Sequence, residues 1–199
     1  MAEFILASAS PRRRELLNNI GMSFEVVVSE ADESGLSKDV PSEIYVQELA
    51  LLKAAASARR VLKRKNAVII AADTIVTLDG QILGKPKDEE EAFDVLKSLS
   101  GRCHEVLTGY CVMRIKDGFT VCNMVKTEVN FKPLGESEIT AYIETGEPMD
   151  KAGAYGIQGI GALLIDSING DYFNVVGLPV SALSDTLKGE FGIDLLSKE

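Results

Sequence analysis

The sequence predicts an α/β fold built around a mixed sheet. Apolar runs typical of buried strands alternate with amphipathic helical stretches along the whole chain. The run AVIIAAD, residues 67–73, is apolar up to its last residue, which is the pattern of a buried central strand. The valine-rich SFEVVVS, residues 23–29, alternates in polarity and predicts another strand. Because strands and helices are interspersed, not grouped, the α/β class fits best.

The first third of the chain predicts a strand followed by two helices and a strand between them. EFILAS, residues 3–8, is a short apolar run that suits a buried strand. Ser10 is a good N-cap, Pro11 sits at the favoured first helical position, and Gly21 ends the helix. DESGLSKDVP, residues 32–41, is a polar loop, and a long amphipathic helix begins at Ser42.

The rest of the chain predicts further hairpins and helices. TIVTLDGQILGKP reads as a hairpin around Asp79-Gly80, and DEEEAFDVLKSLSG as a helix with acids in its first turn and Gly101 at its end. The segment from 104 to 132 predicts three strands with a turn at Asp117-Gly118. After it we predict a short helix in ESEITAYIETG, a hairpin turning at Asn169-Gly170, and a last helix from Val180 to Phe191.

Composition bounds the protein class. With 199 residues, 46% of them hydrophobic, the chain can form one sizeable core or one domain with two lobes. A net charge of −9 argues against general nucleic-acid binding, which needs a basic footprint. The three cysteines form no C-x-x-C pair, so we expect buried thiols in a reducing cytosol, without a disulfide framework or zinc site. No signal peptide or membrane-length apolar run is present, which predicts a cytoplasmic protein without a membrane partner.

The stretch LASASPRRRELL places three consecutive arginines at the start of a helix. Cations at a helix N-terminus oppose its dipole unless an anion binds there. Ser8 and Ser10 lie on the strand-to-helix turn, and Arg12 and Arg13 occupy the first turn. Free N–H groups, hydroxyls and guanidinium forks together favour phosphate oxygens. The stretch therefore predicts a phosphate site; the alternative is a solvated basic patch.

A carboxylate follows the buried run AVIIAA. Asp73, with Thr74 beside it, stands where a catalytic acid or metal ligand is expected, because ligands of open α/β sheets bind at the ends of strands. Glu33, from the acidic cluster after the second strand, could join Asp73 in binding a divalent metal. Lys53, on the long helix, could neutralise phosphate charge. The alternatives are that Asp73 only begins a turn and that Glu33 and Lys53 are surface groups.

Two loops could contribute further contacts. In LGKP, Gly84 and Pro86 shape the backbone around Lys85, a point charge suited to phosphate. DKAGAYGIQGIGA is rich in glycine, which lets backbone approach a ligand, and the Gln158 amide could read a base edge. Neither the dinucleotide-binding nor the P-loop glycine pattern occurs there. The single histidine, His104, has no catalytic motif around it and is interpreted as structural.

Four motifs together resemble the Maf family of nucleoside triphosphate pyrophosphatases. They are SASPRRRELL, ADTIVTLDGQILGKP, LSGRCHEVLTG and GEPMDKAGAYGIQGIGA, and the resemblance runs from Ile5 to about Pro179. The motif AYGIQG is similar to the form of this motif in the subgroup that hydrolyses dTTP and UTP. The resemblance implies a single domain over residues 1–199, with two lobes around one cleft. It also implies an elongated mixed sheet flanked by helices, similar to inosine triphosphate pyrophosphatases.

The resemblance also implies a reaction and roles for individual residues. The family cleaves a nucleoside triphosphate between its α and β phosphates with a divalent cation, here Mg²⁺ or Mn²⁺. Asp73 matches the proton acceptor and, with Glu33, the metal ligands. The positions that set base specificity match Arg12, Thr74 and Gln158. The remaining substrate-binding positions match Ser8, Arg13, Lys53 and Lys85. A homodimer is a further expectation.

These features leave different functions open. The leading hypothesis is a house-cleaning enzyme that hydrolyses dTTP, UTP and modified pyrimidine nucleotides, with Asp73 as the base. A nucleotide-binding regulator of cell division without turnover is the alternative, although such a sensor needs no buried carboxylate beside the attacking water. Hydrolysis of a purine or 7-methylguanosine triphosphate is a third reading, against which Gln158 in IQG speaks.

Overall fold

A computed structural model describes residues 2–37 and 39–197, so position 38 of the predicted polar loop and both ends of the predicted 1–199 domain lie outside the described residues. Within that part of the chain the structure is a mixed α/β fold, which confirms the predicted class. The strands are β1 (Glu3–Leu6), β2 (Phe24–Val26), β3 (Ala67–Leu78), β4 (Gln81–Leu83), β5 (Cys103–Arg114), β6 (Thr120–Phe131) and β7 (Ile165–Asn169).

Six α-helices and three 3₁₀ turns accompany these strands in the described residues. The helices are α1 (Pro11–Asn19), α2 (Ser42–Arg60), α3 (Glu89–Leu99), α4 (Glu136–Glu144), α5 (Tyr172–Val176) and α6 (Val180–Phe191). The 3₁₀ turns are Glu147–Asp150, Ala152–Ala154 and Gly159–Leu164. No described helix combines the length and the apolar character needed to cross a membrane.

The seven strands form one sheet with the order β2-β1-β3-β5-β6-β7, and β4 pairs with β3. β1 is parallel to both β2 and β3, whereas β3–β4 and β6–β7 are antiparallel, so the sheet is mixed. The register sets Leu6 beside Ile70 in the parallel pair. Ser8 follows Leu6 by two residues and Asp73 follows Ile70 by three, so both residues lie beyond this pair in the same strand direction.

The chain divides into two compact units. The first contains residues 1–73, 108–125 and 177–199, and the second contains residues 74–107 and 126–176. One core of the first unit consists mainly of small and branched side chains around Ile5, Ala54 and Ile69. The core of the second unit includes Leu96, Phe131 and Tyr155. It stays a prediction that the chain is one domain with a cleft and that its fold is similar to that of inosine triphosphate pyrophosphatases.

Several predicted starts and turns are confirmed. The Ser10 hydroxyl accepts a hydrogen bond from the Arg13 backbone N–H at 3.5 Å and caps α1, and α2 begins at Ser42. The hairpin of β3 and β4 turns at Asp79 and Gly80, with φ angles of 52° and 77°. Positive φ at both central residues is what a tight hairpin turn requires, and Asp-Gly adopts it readily. The last helix has the predicted bounds.

Two strand predictions were wrong. β3 does not end at Asp73 but continues to Leu78, because the β-branched residues of TIVT extend the same strand into the hairpin. Asp73 therefore lies in the middle of a strand. The segment after Gly101 forms two strands of 12 residues each, not three. Its side chains on β5 are almost continuously buried, so the sequence gives no polar break at which to divide it.

The predicted hairpin at Asn169-Gly170 was also wrong. Only its first arm is a strand, β7, and it pairs with β6 instead of with the residues that follow. Those residues form α5, because the Asp171 carboxylate accepts a hydrogen bond from the Phe173 N–H at 2.8 Å and begins the helix. The Thr127 hydroxyl fixes this turn through hydrogen bonds with the N–H and carbonyl of Asp171.

Candidate active site

The start of α1 is organised by its own serines. The Ser8 hydroxyl oxygen accepts hydrogen bonds from the Ser10 N–H at 3.2 Å and from Nη1 of Arg13 at 3.1 Å. Ser8 is buried, and Arg12 and Arg13 are partly buried. No acidic residue occurs in the first turn of this helix. The positive charge at the start of α1 is therefore not offset by an acidic side chain within its own first turn, an arrangement compatible with the predicted phosphate site.

The Arg13 side chain is anchored within the protein. Its Nε donates a hydrogen bond of 2.7 Å to the Gly177 carbonyl, in addition to the contact with Ser8. Desolvation by burial lowers the pKa of the Arg13 guanidinium, the Asp73 carboxylate counteracts this effect, and Arg12 adds to it. Arg13 thus joins the helix start to the segment before α6, within the electrostatic reach of Asp73.

A lysine lies between two carboxylates in the same unit. The Lys53 ammonium forms an ion pair with Glu33 at 3.0 Å and a short hydrogen bond with Oδ1 of Asp73. The Lys53 and Asp73 side chains are 19% and 18% exposed, whereas Glu33 is 47% exposed. Two acids and one base from three distant parts of the sequence therefore meet at a partly buried point, whereas the roles predicted for them in binding a metal and phosphate stay predictions.

Packing of α2 against β5 brings Lys53 to this point. A Cβ on Gly109 would lie 2.3 Å from the Val46 carbonyl oxygen, so only glycine allows the helix backbone to approach this closely. Lys53 follows Val46 by two helical turns and lies on the same face. The close approach of α2 therefore positions the ammonium group over β3.

Tyr45 is a neighbour of the cluster that sequence reasoning missed. Its side chain is buried on α2. Burial raises the pKa of the Tyr45 phenol, Glu33 and Asp73 raise it further, and Lys53 opposes them. The phenol is therefore held neutral beside the two carboxylates. No motif in SEIYVQEL could have revealed this, because Tyr45 occupies an ordinary core position of an amphipathic helix.

The cluster is compatible with a divalent cation. The Glu33 and Asp73 carboxylates already converge on one positive group, the Lys53 ammonium. No group of three or more histidine, cysteine, aspartate or glutamate side chains in the described residues could hold a metal. Magnesium commonly uses one or two carboxylates together with substrate phosphates and water, so two protein ligands suffice.

The other predicted site residues, Thr74, Lys85 and Gln158, belong to the second unit. Thr74 is partly buried on β3, Lys85 is exposed, and Gln158 is partly buried. The N–H of Gly153 donates a hydrogen bond of 3.0 Å to the Gly84 carbonyl, so the loop of Lys85 is attached to the glycine-rich segment that carries Gln158. The substrate contacts of these three residues stay predictions.

The glycine-rich segment is organised by Glu147, which sequence reasoning also missed. The Glu147 carboxylate accepts hydrogen bonds of 3.0 Å each from the backbone N–H groups of Ile160 and Gly161 and from the Tyr142 hydroxyl. Burial raises the pKa of Glu147, but these hydrogen bonds together with the charge of Lys151 outweigh that effect, so the net pKa is lowered. A Cβ at Gly161 would lie 2.4 Å from the Gly156 carbonyl oxygen. This glycine therefore serves packing within the segment.

His104 and the cysteines are not members of the lysine–carboxylate cluster formed by Glu33, Lys53 and Asp73. His104 is buried, its Nε2 is 2.7 Å from the Tyr155 hydroxyl, and desolvation lowers its pKa to about 4. This environment agrees with the structural role predicted for it. The expectation of buried thiols was wrong for Cys103, which is exposed because it opens β5 immediately after a turn; Cys111 is buried and Cys122 partly buried.

The chain has relatives among known proteins. A family model described as Maf-like protein matches residues 3–190. The chain belongs to the Maf family. Membership confirms the resemblance predicted from SASPRRRELL and the other three motifs.

Curated Maf relatives match almost the full chain. A dTTP/UTP pyrophosphatase of Thermoanaerobacter sp. (strain X514) is 51% identical over 194 residues, covering 98% of this chain and 100% of the relative. A dTTP/UTP pyrophosphatase of Alkaliphilus metalliredigens (strain QYMF) is 50% identical over 196 residues, with the same coverage. Among solved structures, the Ham1 protein of Staphylococcus aureus has a TM-score of 0.49 and 18% identity, covering 94% of this chain and 90% of its own.

Proposed function

We propose that this Maf protein is a nucleoside triphosphate pyrophosphatase that hydrolyses dTTP, UTP and modified pyrimidine nucleotides. The reaction yields the nucleoside monophosphate and pyrophosphate. Curated relatives at about half identity over nearly the whole chain carry the name dTTP/UTP pyrophosphatase, which supports the enzyme class and the base. The role of Asp73 and the cation, and the extension to modified bases, rest on the chemistry of the site.

One observation carries the proposal. The carboxylates of Glu33 and Asp73 meet at the Lys53 ammonium, and Arg13 lies within electrostatic reach of Asp73. Acids that converge on a cation, beside arginines at a helix start, form a set that can hold both a divalent metal and a triphosphate. A sensor without turnover has no need of a carboxylate placed in this way.

Asp73 is the proton acceptor in the proposed reaction. A water oxygen attacks the α-phosphorus, the bond from that phosphorus to the α–β bridging oxygen breaks, and the water proton passes to a carboxylate oxygen of Asp73. Lys53 holds Oδ1 of Asp73, which orients the carboxylate while the second oxygen accepts the proton. Arg12, the Lys53 ammonium and the N–H groups of α1 stabilise negative charge that develops on the phosphoryl oxygens.

Glu33 and Asp73 would hold the divalent cation together with phosphate oxygens of the substrate. When bound, magnesium or manganese supplies positive charge that polarises the phosphoryl group and offsets the charge of the leaving pyrophosphate. Ser8 and Arg13 fix the start of α1 so that its N–H groups stay directed at the phosphates. Lys85 adds a point charge to the triphosphate.

Base selection is assigned to Arg12, Thr74 and Gln158. The Gln158 amide offers two donors and an acceptor, which can pair with the carbonyl and imino groups of a thymine or uracil edge. A substituent at the 5-position of the pyrimidine leaves that edge unchanged, which is why modified pyrimidines belong to the substrate class. Glu147 holds the backbone beside Gln158 and thereby supports the reading of the base.

The deciding experiment measures pyrophosphate release from a panel of nucleoside triphosphates with magnesium, using the wild-type protein and the Asp73→Asn variant. We expect turnover of dTTP and UTP, little turnover of purine nucleotides, and a loss of kcat in the variant. Removal of a general base typically costs about 10²–10⁴-fold in rate. Asn is nearly isosteric with Asp, so the loss reports on chemistry and not on shape.

A matched variant controls for loss of a carboxylate elsewhere. Asp79→Asn lies on the exposed hairpin turn, where its ion pair with Arg102 contributes little, and it should retain wild-type turnover. Nucleotide binding without any pyrophosphate release by the wild type would instead establish the regulator. Full activity of Asp73→Asn would refute the role of Asp73 while leaving the enzyme class intact.

A further inference from the structure

Two of the three cysteines lie on neighbouring strands of the sheet. Cys111 belongs to β5 and Cys122 to β6, and the turn between these strands falls at Asp117-Gly118. Both are in the reduced state, and both belong to the first unit. The proposed hydrolysis uses neither of them.

The strand register sets the two cysteines directly opposite each other. Near the turn the Arg114 N–H donates to the Phe119 carbonyl at 2.9 Å, and at the far end the Phe131 N–H donates to the Arg102 carbonyl at 3.0 Å. The two residue numbers have the same sum in both hydrogen bonds, so the antiparallel register is kept from end to end. In that register Cys111 faces Cys122.

The pair occupies a position of the ladder at which a disulfide fits. Directly opposed residues of an antiparallel pair alternate between hydrogen-bonded and non-hydrogen-bonded positions. Arg102 and Arg114 both make ladder hydrogen bonds, so every second residue between them belongs to a hydrogen-bonded pair. Cys111 lies between two such residues and is therefore in a non-hydrogen-bonded pair. The Cα atoms of such a pair are about 4.5 Å apart, within the range of about 4.4–6.8 Å that disulfides span.

The surroundings of the two thiols are asymmetric. Cys111 is fully buried in the core of the first unit, and Cys122 packs against that core while it is partly exposed. A hydrogen bond between the thiols raises the pKa of Cys111 and lowers the pKa of Cys122. Cys122 is therefore the more accessible sulfur, and Cys111 is the adjacent thiol that can resolve its oxidised form.

We propose that Cys111 and Cys122 form an oxidative modification site that takes hydrogen peroxide or small hydroperoxides and closes to a cross-strand disulfide. The Cys122 thiolate attacks the peroxide, the O–O bond breaks, and Cys122 sulfenic acid and hydroxide form. Cys111 sulfur then attacks the sulfenic sulfur, its proton leaves with the hydroxyl group as water, and the S–S bond forms. In sum, two thiols lose two electrons and two protons, and one hydrogen peroxide becomes two water molecules; a hydroperoxide becomes one alcohol and one water molecule.

The test treats the folded protein with hydrogen peroxide, alkylates the remaining thiols after denaturation, and maps peptides without reduction. Trypsin leaves Cys103 and Cys111 in one peptide, since cleavage follows Arg102, Arg114 and Lys116. The exposed Cys103 is therefore replaced first, as Cys103→Ser. We expect a loss of both remaining alkylatable thiols, a mass lower by two hydrogen atoms, and a linked peptide pair, all reversed by dithiothreitol.

Two further variants separate the roles of the sulfurs. In Cys103→Ser/Cys111→Ala, Cys122 should stop at the sulfenic acid and be trapped by a cyclic dione; in Cys103→Ser/Cys122→Ala, Cys111 should stay reduced. Circular dichroism before treatment verifies that each variant is folded. Two alkylatable thiols after treatment of folded Cys103→Ser, or sulfinic acid on Cys122 without any linked peptide, would overturn the proposal.

Discussion

At the scale of single residues, Arg13 is predicted to bind substrate and has a structural role as well. The sequence suggests a guanidinium for phosphate, but in the structure its Nε and Nη1 donate to Gly177 and Ser8. Gly177 lies far from Arg13 in the sequence, whereas Ser8 lies close to it. Arg13 thereby fixes the strand-to-helix turn on which the helix N–H groups depend.

His104 is the residue whose charge state most directly reports on folding. It is buried between Phe131 and Tyr155, with ring centroids 5.0 and 5.3 Å away. Its Nδ1 has no hydrogen-bond partner in the described residues. An imidazolium in this apolar site would be desolvated, which is why its pKa falls to about 4 from 6.5.

We predict that this histidine destabilises the protein in mild acid. The folded pKa lies below the unfolded pKa, so the unfolded state takes up the proton first. Stability is therefore complete above pH 6.5 and is lost as pH falls towards 4. At about 1.4 kcal/mol per pKa unit, the total loss is about 3 kcal/mol.

The measurement is the free energy of unfolding by urea at several pH values between 7 and 4. His104→Gln removes the titrating group, so its profile should be flatter than that of the wild type by the stated amount. Carboxylates contribute equally to both proteins and cancel in the difference. Parallel profiles would contradict the assignment of His104 as a neutral core residue.

At the scale of elements, the approach of α2 to β5 is decisive for the site. Gly109 leaves room for the backbone of α2 at Val46, and Lys53 extends from the same helix face. The sequence contains Gly109 in LTGY, where it interrupts an otherwise strand-forming run without any evident turn signal. An isolated glycine inside a strand often marks such a close backbone approach.

We predict that Gly109→Ala destabilises the protein and also lowers kcat. The new methyl group would meet the Val46 carbonyl at 2.3 Å and push α2 outward, together with Lys53. Overpacking of this kind costs about 1–3 kcal/mol. Guanidinium denaturation gives the stability change, and pyrophosphate release gives the change in rate.

Gly189→Ala is the matched control for this substitution. Gly189 is exposed within α6, and a Cβ there has open space around it. Since alanine favours the helix, this variant should be about 0.5–1 kcal/mol more stable than the wild type, with unchanged kcat. If Gly109→Ala behaved like Gly189→Ala, the close approach of α2 would not be what positions Lys53.

At the scale of the whole molecule, charge and ligand binding act on the folded chain as a unit. The net charge of −9 contrasts with the local cluster of Arg12, Arg13 and Arg14 at the start of α1. A polyanion such as nucleic acid would meet repulsion over most of the surface, whereas a small triphosphate needs only the local site. Any ligand that binds only the folded state raises the free energy of unfolding of the entire chain.

We predict selective stabilisation by a pyrimidine triphosphate. UTP whose α–β bridging oxygen is replaced by a methylene group cannot undergo the proposed cleavage, so it can be used with the unaltered protein and magnesium. At one hundred times its dissociation constant it should add about 2.7 kcal/mol to the free energy of unfolding. Thermal unfolding should show a higher Tm.

The ATP analogue with the same methylene replacement is the control. At equal concentration it should raise the Tm by clearly less, because the purine lacks the edge assigned to Gln158. Equal shifts for the two analogues would show that the triphosphate alone is recognised and would contradict the assignment of base selection.

Local chemistry made much of this protein predictable from its sequence. The Ser10 cap, the Asp79-Gly80 turn and the bounds of α6 follow from interactions within a few residues, and the structure has them as predicted. The strand errors have the opposite cause: the path of β3 beyond Asp73 and the pairing of β7 with β6 depend on partners far away in sequence. Tyr45 and Glu147 were missed because most of the groups that they interact with lie far from them in the sequence.

The α/β class and the family could be predicted from the sequence, and both are confirmed. Those properties reside in composition, periodicity and short motifs. Folding is what brings Glu33, Lys53 and Asp73 together, anchors Arg13 at Gly177 and sets Cys111 opposite Cys122, and none of these contacts could be predicted from the sequence. The physical reason is that strand register and helix packing are set by burial over the whole core, and this fixes which distant side chains meet.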